Sequence, residues 1–538
     1  MQSRATDGFA CDIGPLPRSL GGWFPFLWSR VLFGGAPALA PTACRVCSLV
    51  VLLVVPAVLL YPCLSFDLFE PDESRYAEIP REMLQRGEVV VPYLQGEVYV
   101  DKPPLLYWLV ETSYRVFGVR VWAARLVPAL AVHACVLLLY LLGRRSLGER
   151  AAFAGAMLLA LSPGYLGMGR LLLMDGVLTL WSTLALLAAF EAVRGPRLAW
   201  SWWLVSAAAC GLGVLTKGPV AVVLLLPPVW LYRRLGGRGV APAWRGWGAF
   251  AAVLLGVTLP WYAAMCVRVP SFARDFFWEH NVQRFLAPFA HQHGVWFYIP
   301  VLLAGLLPGT LLAWPFARFL GGNDPTTARL RSPELGFMLL ASGWCVFFFT
   351  LSACKLPTYV LPAFPPLTLA LGYFIAHSRW AESRAPRAVA ITTFVLLLFA
   401  HAVALPWYAA YRSPLAKPQE VTRLCGDRGQ PVVCYPRNCD SVSFYLGRDD
   451  LRCYRSKDIE DLRALVRRLP RTVILCTHRH SLRGLHELLP PDVAIVHEVH
   501  LGLREIPGVP RGLMKPLLAL MGETALGLCD VAVVENRR

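Results

Sequence analysis

The chain has 538 residues, of which 56% are hydrophobic and only 16% charged, and its mean hydropathy is positive. That balance argues against a soluble globule and points to a polytopic α-helical membrane protein. The formal charge of +17 raises nucleic acid as a partner, but basic residues of a membrane protein gather in short cytoplasmic loops, and their positions here follow that rule, so no nucleic-acid role is assigned.

In chain order, residues 1–45 contain Gly, Pro and Trp but no clean span and no secretory signal with a cleavage site, and are expected to form a poorly ordered extension. Runs of about 17 to 25 apolar residues place helices near 46–63, 121–142, 150–165, 171–192, 199–215, 218–233, 247–266, 296–317, 335–351, 356–376 and 387–409. The expectation is about 11 to 13 transmembrane helices over residues 46–410. With a cytoplasmic N-terminus, alternate connections carry Arg144, Arg145 and Arg150, then Arg194 and Arg197, then Arg233, Arg234, Arg238 and Arg245, then Arg318, Arg329 and Arg331, then Arg379, Arg384 and Arg387. The opposite short connections hold single cations, Arg170, Lys217 and Lys355, so the positive-inside rule puts those loops outside.

Residues 411–538 differ: charged residues become frequent, and β-like runs at 431–435, 441–446, 472–476 and 493–496 alternate with helix-like 458–469 and 482–489. A small α/β domain is expected on the outer side. Its cysteines, Cys425, Cys434, Cys439, Cys453, Cys476 and Cys529, either form one or two bridges or pack as small apolar groups. No C-x-x-C zinc spacing of the strong, paired kind, internal repeat, P-loop or convincing dinucleotide fingerprint is present.

The outer loops collect the unusual polar groups. The first contains Asp72, Glu73, Arg75, Tyr99, Asp101 and Lys102; the second Arg170 and Asp175; the third Lys217. The fourth holds Asp275, Glu279, His280, Gln283, Arg284, His291 and His293, and the fifth Lys355 and Tyr359. Carboxylates in separate loops, with cations and tyrosines beside them, can grip a phosphate while a carboxylate handles the attacking nucleophile. That arrangement suits group transfer from a lipid phosphate, with cations stabilising the departing phosphate.

The runs Asp72-Glu-Ser-Arg-Tyr-Ala-Glu-Ile-Pro-Arg-Glu-Met83, Tyr99-Val-Asp-Lys-Pro-Pro-Leu-Leu-Tyr-Trp108, Leu173-Met-Asp-Gly176, Leu215-Thr-Lys-Gly-Pro219, His280-Asn-Val-Gln-Arg-Phe285 and Lys355-Leu-Pro-Thr-Tyr-Val-Leu-Pro-Ala-Phe-Pro-Pro366 carry a resemblance. Together they resemble the GT-C glycosyltransferases of the aminoarabinose (lipid A) transferase and protein mannosyltransferase superfamily. The resemblance implies an inner-membrane enzyme of a bacterium that moves a sugar from undecaprenyl or another polyprenyl phosphate to lipid A or another envelope glycan or protein, with inversion at the anomeric carbon. It implies Asp72 and Asp175 as catalytic carboxylates and Arg75, Tyr99, Lys102 and Tyr359 as donor-phosphate ligands. Lys217, His280, Lys355, Glu73 and Asp101 are additional candidates. Two positions depart from the family: Ser74 stands where proline is common and Asp101 where glutamate is common. The shorter Asp101 leaves a divalent metal site open, and no cofactor is assigned.

Plainer roles compete. Asp72 and Glu73 can cap the amphipathic segment 77–85, Lys102 and Lys355 can snorkel to headgroups, and Tyr99 and Tyr359 can be interfacial aromatics. His291 and His293 read as solvated loop residues. Asp175, at a span end bordered by Leu and Met, is costly unless it lines an aqueous site. A transporter or flippase of a lipid-linked sugar is the rival class, but it should place its charges near mid-span and show related halves.

Overall fold

The computed structural model describes residues 41–537 apart from 235–238, 288–290, 382, 413–417, 477–480 and 501–529. Most of the expected extension and Cys529 therefore lie outside the described residues.

Every expected span coincides with helix. The helices are Pro41–Leu60, Val121–Leu147, Glu149–Ala160 followed by Pro163–Gly169, Met174–Val193, Trp200–Lys217, Val220–Arg234 and Trp244–Arg268. They continue with Tyr298–Gly305 followed by Ala313–Gly321, Pro333–Leu351, Pro357–Ala363 running into Phe364–Ala376, and Ala385–Phe399 followed by Leu405–Arg412. Among the described residues, 6 helices alone are long and apolar enough to cross a membrane, or up to 8 if each of two bent pairs is one span. The pairs bend by 58° and 104°. The sharper bend falls at Leu307-Pro308, where proline removes a helix donor and clashes with the preceding turn.

A bundle without water between its helices must hold itself by close packing. The buried contacts run through Leu52, Val132, Tyr165, Trp203, Phe337 and Phe364, contributed by six different helices. The segment Ala385–Ala409 is only 11% buried, and it turns Leu396 and Phe399 outward, as a lipid-facing helix should.

The first connection carries structure that the pattern of apolar runs does not reveal. Helix Asp72–Arg86 starts with two acids, ends with Arg86 and stops at Gly87 in the left-handed conformation, which matches the helix dipole at both ends. Its Tyr76, Ile79 and Met83 pack on Leu106, Tyr107 and Val110 of a second helix, Leu105–Phe117. Between them a short antiparallel hairpin pairs β1 (Tyr93–Leu94) with β2 (Glu97–Val98).

The C-terminal domain is a five-stranded sheet with order β4-β3-β5-β7-β6, formed by β3 (Val432–Tyr435), β4 (Arg452–Cys453), β5 (Arg471–Cys476), β6 (Val493–His500) and β7 (Asp530–Asn536). β3 runs parallel to β4 and β5, while β7 is antiparallel to β5 and β6. The run 441–446, expected as a strand, is helix Asp440–Leu446. Its first-turn aspartate favours a helix N-terminus and Gly447 ends it in the left-handed conformation, so local capping outweighs a weak alternation. Cys425, Cys434, Cys439 and Cys453 form no disulfide; the first three are buried, so here the apolar role holds.

Candidate active site

The loops singled out by the sequence meet at one end of the bundle. Asp175 lies in the first turn of helix Met174–Val193, and Lys217 ends helix Trp200–Lys217. Two glycines make the approach possible. A Cβ on Gly176 would overlap the carbonyl oxygen of Gly169, and Gly218, with φ of 90°, would bring one to 3.0 Å from the Phe276 ring. Lys217 Nζ reaches Asp175 Oδ1 at 2.6 Å, and the same ammonium sits 4.2 Å from the centre of the Tyr359 ring. Loops two, three and five are thus joined by one cation.

The first loop supplies the other wall. Asp101 Oδ1 is 3.0 Å from His280 Nε2, which ties it to the fourth loop. Burial alone would raise Asp101, but the His280 hydrogen bond and the charges of His280, Lys102 and Arg75 hold it below the usual carboxylate range. Lys102 donates to the Asp101 carbonyl at 3.2 Å. Burial, then repulsion from Arg284 and Lys217, push Lys102 down to about 8 against the pull of Asp101 and Asp175. Three cations from three loops therefore share a space that carries fewer negative charges than it needs, a ready site for an anion.

The charged form of Lys102 is lost as pH rises through its pKa of about 8. Capture of an anionic ligand by the free protein is accordingly expected to weaken progressively above pH 8, and the limb should vanish in Lys102→Met. A titration of phosphate-ligand binding between pH 6 and 10 checks this, and an unchanged affinity across that range would remove Lys102 from the site.

Asp72 and Glu73 part company despite their adjacency. Asp72 has a half-exposed side chain whose nearest counter-charge, Arg75 Nη1, is 3.6 Å away. Glu73 is buried and fully engaged: Arg125 Nε and Nη2 donate to its two oxygens at 2.9 and 2.7 Å, and the Leu172 and Phe69 amides donate at 2.7 and 3.1 Å. It clamps the first loop to the bundle and has no oxygen left for a substrate. Arg170 is also turned inside, donating to the Cys63 carbonyl at 2.7 Å, with its Nε unpartnered among the described residues.

Tyr99 lies beside Arg75, whose guanidinium carbon is 6.0 Å from the ring centre, and burial followed by the charge of Asp101 raises its hydroxyl. Burial, followed by the charges of Tyr99 and Asp72, pushes the Tyr76 hydroxyl up, with a smaller contribution from Asp175. The Tyr107 hydroxyl near them is buried with no hydrogen-bond partner among the described residues. Lys355, in contrast, is turned into its own loop, where its ammonium donates to the Ser352 carbonyl, and it does not join Lys102 and Lys217. Arg284 is the group that a reading of single motifs undervalues. It stands inside the 280–285 run, yet only the fold shows its charge beside Lys102 and Tyr359.

Among the described residues, no three His, Cys, Asp or Glu side chains converge as a metal site would require. Asp101 is engaged by His280 rather than set among further carboxylates, so the residues present do not form a cradle for the divalent ion left open above, and no step is routed through one.

A bundle of apolar helices thus carries an amphipathic helix in its first connection and gathers the charges of Lys102, Lys217 and Arg284 at one end. Residues 46–274 match the family described as dolichyl-phosphate-mannose-protein mannosyltransferase. The chain is 34% identical over 346 residues to undecaprenyl phosphate-alpha-4-amino-4-deoxy-L-arabinose arabinosyl transferase 1 of Pseudomonas fluorescens, covering 62% of this chain and 58% of that one. It is 35% identical over 361 residues to the corresponding transferase of Yersinia pestis, covering 65% and 62%. The chain thus spans less than two thirds of the length of the curated relatives it matches. The crystal structure of ArnT from Cupriavidus metallidurans bound to undecaprenyl phosphate superposes with a TM-score of 0.68 at 20% identity, over 92% of this chain and 98% of that one. By sequence the chain is similar to aminoarabinose transferases and to the protein mannosyltransferase family, and it shares its fold with ArnT.

Proposed function

We propose that this protein transfers a sugar from undecaprenyl phosphate, or a similar polyprenyl phosphate, to an acceptor on the outer face of a bacterial inner membrane. The observation that carries the proposal is the convergence of Lys102, Lys217 and Arg284 beside Tyr359 at one end of the bundle. The lipid tail would lie in the bilayer and its phosphate among these cations. The similar relatives are named for transfer of 4-amino-4-deoxy-L-arabinose from undecaprenyl phosphate, which supports a sugar of that kind; lipid A as the acceptor is proposed from the resemblance of the sequence motifs. The N-terminus is proposed to be cytoplasmic and the C-terminal domain periplasmic.

In the proposed reaction an acceptor oxygen forms a bond to the anomeric carbon as the carbon–oxygen bond to phosphate breaks, with inversion. The electron pair leaves on polyprenyl phosphate, whose growing charge the cations stabilise without reorganising. If the acceptor is a phosphate, its oxygen is already anionic and Asp72 only positions a cation, for which Arg75 at 3.6 Å is at hand; if it is a hydroxyl, Asp72 takes its proton. Asp175, held by Lys217 at 2.6 Å, is better suited to fix that ammonium than to act as a base.

Arg284→Ala is expected to raise the donor KM roughly 30-fold, about 2 kcal/mol for a lost charge-assisted contact to phosphate, with a smaller change in kcat. Donor-dependent kinetics of the purified variant measure this, and an unchanged KM would take Arg284 out of the phosphate site. The acceptor is tested by mass spectrometry of lipid A and envelope glycans from a deletion strain and its complement. Loss of a pentosamine-sized substituent from lipid A supports the lipid A assignment; an unchanged lipid A and a changed glycan or protein would overturn it.

A further inference from the structure

The C-terminal domain sits on the first loop through a polar junction. Glu70 accepts from the Ser441 amide at 2.7 Å and from Ser74 Oγ at 2.6 Å, so the serine that departs from the family pattern is part of this seam. Arg81 donates to the Arg448 carbonyl at 3.0 Å, and the Gln95 amide donates to Ser443 Oγ. These contacts account for docking. Asp440 is a different case. It is completely buried, takes side-chain hydrogen bonds from Gln95, at a long 3.4 Å to Oδ1, and from Asn438, and its Oδ2 is without a close hydrogen-bond partner among the described residues; burial and the nearby Glu70 charge raise it to about 7. That second oxygen lies 3.9 Å from Arg75 Nε.

A buried carboxylate with an unmatched oxygen is expensive to keep. Docking does not need it, since Glu70, Arg81 and Gln95 already join the two parts. Arg75 is bracketed by Asp440 on its Nε side and by Asp72 at Nη1, with the Tyr99 ring alongside. Carboxylates at 3.9 and 3.6 Å, outside hydrogen-bond range, bias the guanidinium by charge, and an oriented guanidinium is what bidentate recognition of a phosphate requires.

We propose that Asp440 is a positioning residue that orients Arg75 for the donor phosphate, so that the C-terminal domain completes the donor site. The inference rests on the donor reading given above. Asp440 touches no substrate and acts through Arg75; the domain is therefore part of the transfer machinery and not only a platform for the acceptor.

The test is binding of undecaprenyl phosphate to the purified full-length protein, together with donor KM and kcat. Asp440→Asn is expected to weaken binding and raise the donor KM about tenfold with kcat little changed, and Asp440→Glu is expected to restore most of the loss. Ser443→Ala, which loosens the junction without touching Arg75, is expected to bind as wild type. In an Arg75→Gln background Asp440→Asn should have no further effect, because the two act as one unit. Asp440→Ser takes the place of the asparagine variant if thermal unfolding shows that variant misfolded. Wild-type affinity in Asp440→Asn, an equal loss in Ser443→Ala, or additive effects with Arg75→Gln would overturn the inference while leaving the donor reading intact. Failure of the wild type to bind undecaprenyl phosphate would overturn both.

Discussion

Asp72→Asn is expected to lower sugar transfer by about 10²- to 10⁴-fold, the range for loss of a positioned general base or its equivalent, while the protein inserts and unfolds like the wild type. The separation of the two effects follows from the surroundings of the side chain. Asp72 is half exposed and its one close counter-charge is 3.6 Å away, so the change to a neutral isostere removes a loose pair whose contribution to stability is below about 1 kcal/mol. Its first-turn position in helix Asp72–Arg86 adds little more, since asparagine is also accepted at a helix start. Turnover of the purified variant, compared at equal amounts of folded protein, makes the measurement. Full activity would remove Asp72 from the reaction and leave it as a helix-start residue.

Glu73→Ala has the opposite profile, with the damage falling on the fold. The substitution leaves the Arg125 guanidinium fully buried without its carboxylate and frees the Leu172 amide. Removing one partner of such a pair costs about 3–5 kcal/mol, because the remaining charge cannot return to water. The expected result is a protein that accumulates poorly and loses its monodisperse peak in detergent, with the activity of whatever remains folded close to normal. Fluorescence-detected size-exclusion chromatography with thermal challenge reads the loss. A variant as stable as wild type but inactive would reverse the assignment and make Glu73 a group of the reaction. The adjacent residues thus give a paired contrast: one carboxylate whose loss is chemical, one whose loss is structural.

The sequence disclosed the membrane part more fully than the rest because a bilayer demands long apolar runs whatever the tertiary contacts. The spans at 121–142 and 335–351 reappear as helices Val121–Leu147 and Pro333–Leu351. Helix Leu105–Phe117 was hidden, since its buried face needs only Leu106, Tyr107 and Val110 against a partner helix, and no long apolar run announces it. β7 carries a β-like run, Val531-Ala-Val-Val534, that the sequence reading misses, and its pairing with β5 and β6 across the chain is what the local pattern does not encode. For the site, the motifs brought forward Asp175, Lys217 and Tyr359, which the fold then joins through one ammonium. The motif resemblance sets Asp72 above Glu73, and burial supplies the physical reason for the difference. Arg284 and Asp440 depend on contacts between distant segments, which no local spacing encodes.

Charge, burial and loop convergence support the proposed phosphate chemistry on a lipid carrier, and that proposal differs from transport in one observable. Purified protein reconstituted in vesicles, given a polyprenyl-phosphate donor with a radiolabelled sugar and an envelope acceptor such as lipid A, reports it directly. The account predicts label in the acceptor, released carrier phosphate in equal amount, and loss of both in Asp72→Asn. Movement of intact labelled donor across the bilayer with no label reaching the acceptor would contradict it.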